Sequence, residues 1–195
     1  MILDDTALDT VFRTARSYYH YTDQPVADAE LHAIWDLMKF GPTSANQLPA
    51  RLVWVKSDDA KQTLAAACSD TNKAKVLGAP VSVIIGMDTN FHEHLPELFP
   101  HVDAKAWFDG NAELRAASAF RNSSLQGAYF IIAARMLGLD TGPMSGFDAG
   151  LVDAAFFSDT PAVRTNFIAT LGHGDPASIH PRLPRPAFDK FNTIV

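Results

Sequence analysis

The sequence predicts a single mixed α/β or α+β domain, in which helices alternate with a few strands around one central sheet. Three observations carry this reading. Apolar residues recur at helical spacing in several separate segments, short β-branched runs lie between them, and no internal repeat, low-complexity tract or linker divides the 195 residues. A hydrophobic content of 47% is enough for a sizeable core at this length.

From Leu3 to Tyr18 the positions Leu3, Ala7, Leu8, Val11, Phe12 and Ala15 repeat at helical spacing and predict a first amphipathic helix, broken by Thr22-Asp23-Gln24-Pro25. A second helix is expected over Asp28–Phe40, carrying Leu31, Ile34, Trp35, Leu37 and Met38, with Gly41-Pro42 as its stop. Arg51–Lys56 reads as a strand, Asp58–Cys68 as a helix and Val81–Met87 as a buried strand. Phe91–Phe99 and Ala104–Phe108 read as short helices in a connecting excursion near 90–110. Ala112–Leu137 is the longest helical pattern and the expected centre of the domain. Leu139–Thr141 is expected to be a very short strand, Leu151–Phe157 a helix and Asn166–Leu171 a strand. The tail from Ile179 to Val195 holds Pro181, Pro184 and Pro186 and no period, so it is expected to lie along a surface.

Composition excludes several classes. A formal net charge of −6 argues against wrapping nucleic acid, so any bound anion must be held locally. The longest apolar runs, Ala128–Ala134 and Val81–Met87, fall far short of the ~20 residues that cross a bilayer. Asp4, Asp5 and Asp9 near the amino terminus do not fit a basic-then-apolar leader, which leaves the cytoplasm as the default expectation. The lone Cys68 rules out an internal disulfide framework or a cysteine metal cage, and an inert buried thiol is expected there.

Four stretches are candidates for chemistry. In Leu137–Phe147, Gly142 and Gly146 with Pro143 between them predict a turn that leaves the Ser145 and Gly146 amides free to donate. Fixed donors of this kind suit an atom that gains negative charge during reaction, and flavin N5 is one such atom. Taken singly, the stretch also reads as an ordinary helix-terminating loop. Gly41–Pro49 packs Thr43, Ser44, Asn46 and Gln47 between prolines, offering donors to ring carbonyls and ribityl hydroxyls, or simply a good turn. Arg16-Ser17, with Arg182 and Arg185 in the tail, are phosphate candidates through paired charge-assisted bonds, or else solvated surface arginines. Asn72 and Lys75, three apart on one helical face, offer an amide for a ring carbonyl and a cation for a reduced, anionic ring.

Other signals fail. His92-Glu93-His94 with His101 lacks the spacing of a zinc helix and is read as a solvated helix, and His173 is read as structural. There is no Gly-x-Ser-x-Gly elbow and no Rossmann or Walker fingerprint, so a nicotinamide would bind transiently against another cofactor.

Taken together and in this order, the four stretches resemble the FMN-dependent nitroreductase family over nearly the whole chain. Gly41–Asn46, Phe120-Arg121-Asn122-Ser123-Ser124 and Asp140–Phe147 further resemble its malonic semialdehyde reductase branch, which belongs to pyrimidine degradation. The resemblance implies a three-layer sandwich with a mainly antiparallel sheet flanked by helices, one domain over 1–195, and an intertwined homodimer with FMN at the interface. Arg16 and Ser17, with Arg182 or Arg185, would hold the FMN phosphate. Asn72 would meet the polar edge of the ring, Lys75 its N1/O2 side, and Pro143, Met144, Ser145 and Gly146 would line N5 through the backbone amides. Pro42, Thr43, Ser44 and Asn46 would reach the flavin held mainly by the other subunit.

The implied activity is ping-pong hydride transfer from NADH or NADPH to a small acceptor, with malonic semialdehyde giving 3-hydroxypropionate and Arg121 binding its carboxylate. Nitroaromatic, quinone or flavin reduction, use of dioxygen, or a non-catalytic flavin-binding role are the alternatives. Two departures stand out. Ala15 and Tyr19 occupy positions where many relatives are basic, and Ser145 stands where many carry an acid.

Overall fold

The computed structural model describes residues 2–195. Strands β1 (Ala50–Val55), β2 (Val81–Asp88), β3 (Asp140–Met144) and β4 (Val163–Gly172) form one antiparallel sheet in the order β1-β2-β4-β3. Alternation along the strands divides the core. Val81, Val83, Ile85, Ala169 and Leu171 face helices α2 (Asp28–Met38) and α6 (Ala112–Met136), packing on Leu31, Ile34, Met38 and Phe130. Val55, Ile84, Ile168 and Val163 face α3 (Asp58–Ala66), α4 (Asp70–Gly78) and α7 (Ala149–Phe156), through Leu64, Val76 and Val152. The result is the expected three-layer α+β sandwich. β2 is buried on both sides, which explains its unbroken apolar run.

The excursion holds a 3₁₀ turn at Phe91–His94, the single turn α5 (Leu95–Leu98) and another 3₁₀ turn at Lys105–Trp107. Phe91, Leu95, Ala104 and Phe108 close over Ala119 of α6 as a small core of their own. His92 is buried there, 5% exposed, and is not on a solvated helix as its sequence suggests. Its ring lies edge-on to Phe91, with Nε2 3.5 Å from both Glu93 and Asp109. Asn111 accepts from the Leu114 amide at the start of α6, and Asp148 from the Leu151 amide at the start of α7, satisfying donors that a helix leaves open. Cys68 is half-buried, donates to the Leu64 carbonyl, and has its thiol pushed up by burial, which fits an inert group.

Two elements depart from the sequence reading. The first helix ends early: α1 (Asp5–Leu8) widens into a π turn at Asp9–Arg13, clasped by Arg13 on Asp5 and Asp9, and residues after Thr14 leave it. Tertiary pairing overrides periodicity, because the Tyr18 amide donates to the Thr141 carbonyl (3.1 Å) and Ser17 bridges Thr141 along the free edge of β3. Arg16 and Ser17 therefore lie on an extended arm and not at a helix end. Gly142 and Pro143 are strand residues of β3 and not a turn; a proline is tolerated on an edge where its missing N–H faces away from the ladder. The turn begins only at Ser145. The tail is exposed and extended except for one helical turn, α8 (Phe188–Phe191).

Asp140 gives a test of this corner. Its carboxylate accepts from the Gly174 amide (3.0 Å), and burial pushes its pKa above the usual carboxylate value. The folded state then holds this proton more tightly than the unfolded chain, so the group favours folding at low pH and that contribution is lost as pH rises through its folded pKa. Asp140→Asn keeps the acceptor for Gly174 and removes the titration. Its melting temperature is expected to gain on the wild type as pH is raised from 4 to 7; an unchanged difference across that range contradicts the assignment.

Candidate functional site

Two of the predicted groups meet at the β3 edge. The arm carrying Arg16, Ser17 and Tyr19 is laced to the tail: the Arg16 guanidinium donates to the His180 carbonyl, and Arg182 donates to the Ala15 carbonyl at 2.9 Å. Between arm and tail lies a cleft of about 400 Å³ lined by Arg16, Ser17, Tyr19, His180, Arg182 and Arg185, with no carboxylate in its wall. In an acidic chain, three arginines lining one cleft with no carboxylate in its wall would favour an anion there. Arg185 donates to the Leu183 and Pro184 carbonyls of the tail, and both tail arginines line the cleft.

The second group is built on α4. Asn72 donates to the Gly146 carbonyl (3.1 Å) and accepts from Lys75 Nζ (3.1 Å), so one carboxamide ties the turn after β3 to the lysine. The Ser69 amide holds the same carbonyl at 3.0 Å. Gly146 is required by proximity: a Cβ would lie 2.8 Å from Asn72 Nδ2 and 3.0 Å from Ser69 Oγ. With its carbonyl turned inward, the turn exposes the Ser145 and Gly146 amides, which meet no acceptor among the described residues. Met144 is buried under them, and Pro143 is exposed beside them.

Tyr19 joins the two groups. Its ring lines the arginine cleft and lies 4.4 Å from Lys75 Nζ, a cation–π contact. Burial pushes the Lys75 ammonium below its usual lysine value. Sequence reasoning missed this contact; Tyr19 looked only like a lost basic residue.

The third group lies elsewhere. Pro42, Thr43, Ser44 and Asn46 precede β1, at the opposite edge of the sheet, three strand spacings or about 14 Å from β3. There Tyr129 donates to the Pro42 carbonyl (2.9 Å), Thr43 Oγ1 accepts from the Leu48 amide (3.2 Å), Asn122 accepts from the Ser44 amide (2.8 Å), and Asn46 donates to the Leu98 carbonyl (2.8 Å). Within one chain these residues do not join the cleft. Arg121 is exposed on α6 beside Asn122, with no hydrogen-bond or ion-pair partner among the described residues. No group of three or more metal-ligating side chains is assembled among the described residues, and no helix is long and apolar enough to cross a membrane.

This arrangement has relatives. A protein of Burkholderia lata named "Putative NADH dehydrogenase/NAD(P)H nitroreductase" is 61% identical over 192 residues, covering 98% of each chain. Among solved structures, the nitroreductase-type protein ydfN of Bacillus subtilis superposes with a TM-score of 0.88 at 19% identity, over 98% of this chain and 100% of that one. One from Exiguobacterium sibiricum, solved in complex with FMN, gives 0.84 at 18% identity over 100% and 99%. The model of the nitroreductase family matches residues 12–173, from the π turn to the end of β4. With four fifths of its length inside that match, the chain belongs to the nitroreductase family.

Proposed function

We propose that the protein is an FMN-dependent NAD(P)H oxidoreductase. The observation that carries this is the pair of unpartnered amides at Ser145 and Gly146, held beside Lys75 by Asn72 and adjoining an anion cleft. These residues fit FMN: three arginines suit its phosphate, the lysine its electron-rich ring edge, and the amides an atom that gains charge. The names of the curated relative and of the FMN-bound neighbour agree with this reading. Bound FMN supplies the hydride relay between a nicotinamide and an acceptor, taken in alternate half-reactions.

Arg16, Ser17, Arg182 and Arg185 bind and orient the phosphate end, and Asn72 keeps the turn aimed. Lys75 favours the reduced ring by local charge, strengthened because the site is partly dry. Because Pro42–Asn46 lie across the sheet from the cleft, joint use of both groups requires two copies of the chain, and a homodimer completes the site. The acceptor we propose is a short 3-oxo acid such as malonic semialdehyde, reduced to 3-hydroxypropionate, with exposed, unpaired Arg121 receiving its carboxylate.

The test is anaerobic titration of FMN-loaded protein with NADH and NADPH, followed by rapid reoxidation with malonic semialdehyde, nitroaromatics, quinones, free flavin or dioxygen. Bleaching, then fastest recovery with the semialdehyde, is the expected result. Protein that stays yellow is a flavin binder without turnover, and faster recovery with another class names that class as acceptor. Arg121→Ala is expected to raise the KM for the acid about tenfold, the size of one lost charge-assisted bond, while kcat and uncharged acceptors are unaffected. Unchanged kinetics toward the acid would remove Arg121 from the site.

A further inference from the structure

The loop that precedes β1 has an unusual backbone. Ala45, Asn46 and Leu48 have φ of 49°, 49° and 38°, the left-handed region that a side chain disfavours, and none of the three is glycine. Such a shape persists only where its surroundings over-determine it. They do so here through a buried stripe along the polar stretch of α6. Ser118, Asn122 and Gln126 are spaced four apart, so they share one face, and all three are buried at 6%, 2% and 0% exposure.

Each member takes a group from the loop or the start of β1. Ser118 Oγ lies 3.0 Å from Gln47 Nε2, Asn122 Oδ1 accepts from the Ser44 amide at 2.8 Å, and Gln126 Oε1 accepts from the Ala50 amide at 2.8 Å. Asn122 Nδ2 donates to the Ser118 carbonyl (2.9 Å), which fixes the carboxamide with its oxygen toward the loop. From the other side, Arg51, paired with Asp88, donates to the Leu48 carbonyl at 3.0 Å. Buried polar groups are costly without partners, and Gln126 Nε2 has none among the described residues. A stripe that leaves a donor stranded does not serve the core; its acceptors serve the loop.

We propose that Asn122, flanked by Ser118 and Gln126, is a positioning residue that holds loop 43–50 in the left-handed shape with which it meets the cofactor. This rests on the FMN reading above. The experiment compares Asn122→Leu and Asn122→Gln with the wild type in two ways: amide hydrogen exchange of the flavin-free protein, and FMN affinity by flavin fluorescence. Glutamine keeps a carboxamide that can both accept from Ser44 and donate to the Ser118 carbonyl, and leucine removes both at similar volume.

In Asn122→Leu, exchange is expected to accelerate at Ser44 and its loop neighbours while β2 and β4 stay protected, and FMN affinity to fall about tenfold, the effect of one buried donor left unsatisfied. Asn122→Gln is expected to recover most of both. Acceleration spread through α6 and the sheet would mean a general structural role and overturn the proposal. So would a loosened loop with unchanged FMN affinity. If the wild type binds no FMN, the cofactor reading fails by itself; the positioning role then stands or falls on whether the exchange change is confined to the loop.

Discussion

Lys75→Met is expected to slow reduction of the bound flavin by NAD(P)H about a hundredfold, with FMN still bound, the scale seen when one electrostatic partner of developing charge is removed. Methionine keeps an unbranched chain of similar length beside Tyr19 but takes away the ammonium, whose Nζ is fixed by Asn72 Oδ1 and by the Tyr19 ring. Because that cation is partly desolvated, its effect exceeds that of an exposed lysine. The same desolvation lowers the pH at which the ammonium deprotonates. Wild-type reduction should therefore fall off on the alkaline side below the usual lysine value of about 10.4, and the variant should lose that limb. Anaerobic stopped flow across pH checks both statements; a variant within twofold of wild type would take Lys75 out of the reaction.

Gly142→Ala is expected to destabilise the protein by about 3 kcal/mol, the upper end of overpacking costs, and to weaken FMN binding with it. The added Cβ would sit 2.4 Å from the Tyr18 carbonyl oxygen and 2.5 Å from Thr170 Oγ1. Neither can yield cheaply. Tyr18 is held by its amide on Thr141, and Thr170 is locked to the Tyr21 hydroxyl at 2.7 Å. Relief comes only by lifting the arm from β3, which carries Arg16 and Ser17 out of the anion cleft. Urea melts and FMN titration of the variant measure the two effects, and a melt indistinguishable from wild type would show that the arm is not seated there.

Comparison of sequence with structure shows which signals are local. β2 and α6 are legible because burial on both faces and a long apolar pattern leave no alternative. The helix α4 carries Asn72 and Lys75 but buries only Asn72 and Val76, so it has almost no apolar rhythm to find. Periodicity overextends the first helix because nothing near Ser17 announces that Thr141, far along the chain, will claim it. Gly142-Pro143 mimics a turn because those residues favour turns generally, while their edge position is a property of the whole sheet. His92 is buried by Phe91 and by residues of the excursion that local spacing cannot weigh.

The site follows the same logic. Asn72 and Lys75 show their partnership through helical spacing, but the bond from Asn72 to Gly146 joins residues 74 positions apart; the family resemblance places Asn72 at the polar edge of the ring and names no such bond. The stripe Ser118-Asn122-Gln126 has polar residues at intervals of four, but Arg121, Ser123 and Ser124 lie among them, so spacing alone does not single it out.

The arm laid against β3 also limits where a further strand could add to the sheet. With Ser17 and Tyr18 filling the position beside Thr141 and Pro143 offering no donor next to it, that border resists a foreign strand, whereas along the outer border of β1 the described partners reach only Ala50, through Gln126 and Arg51. A sheet with a single adhesive border has a valence of one. Strand-to-strand growth stops once two such borders meet, so this chain lacks the second contact that a filament needs at every step.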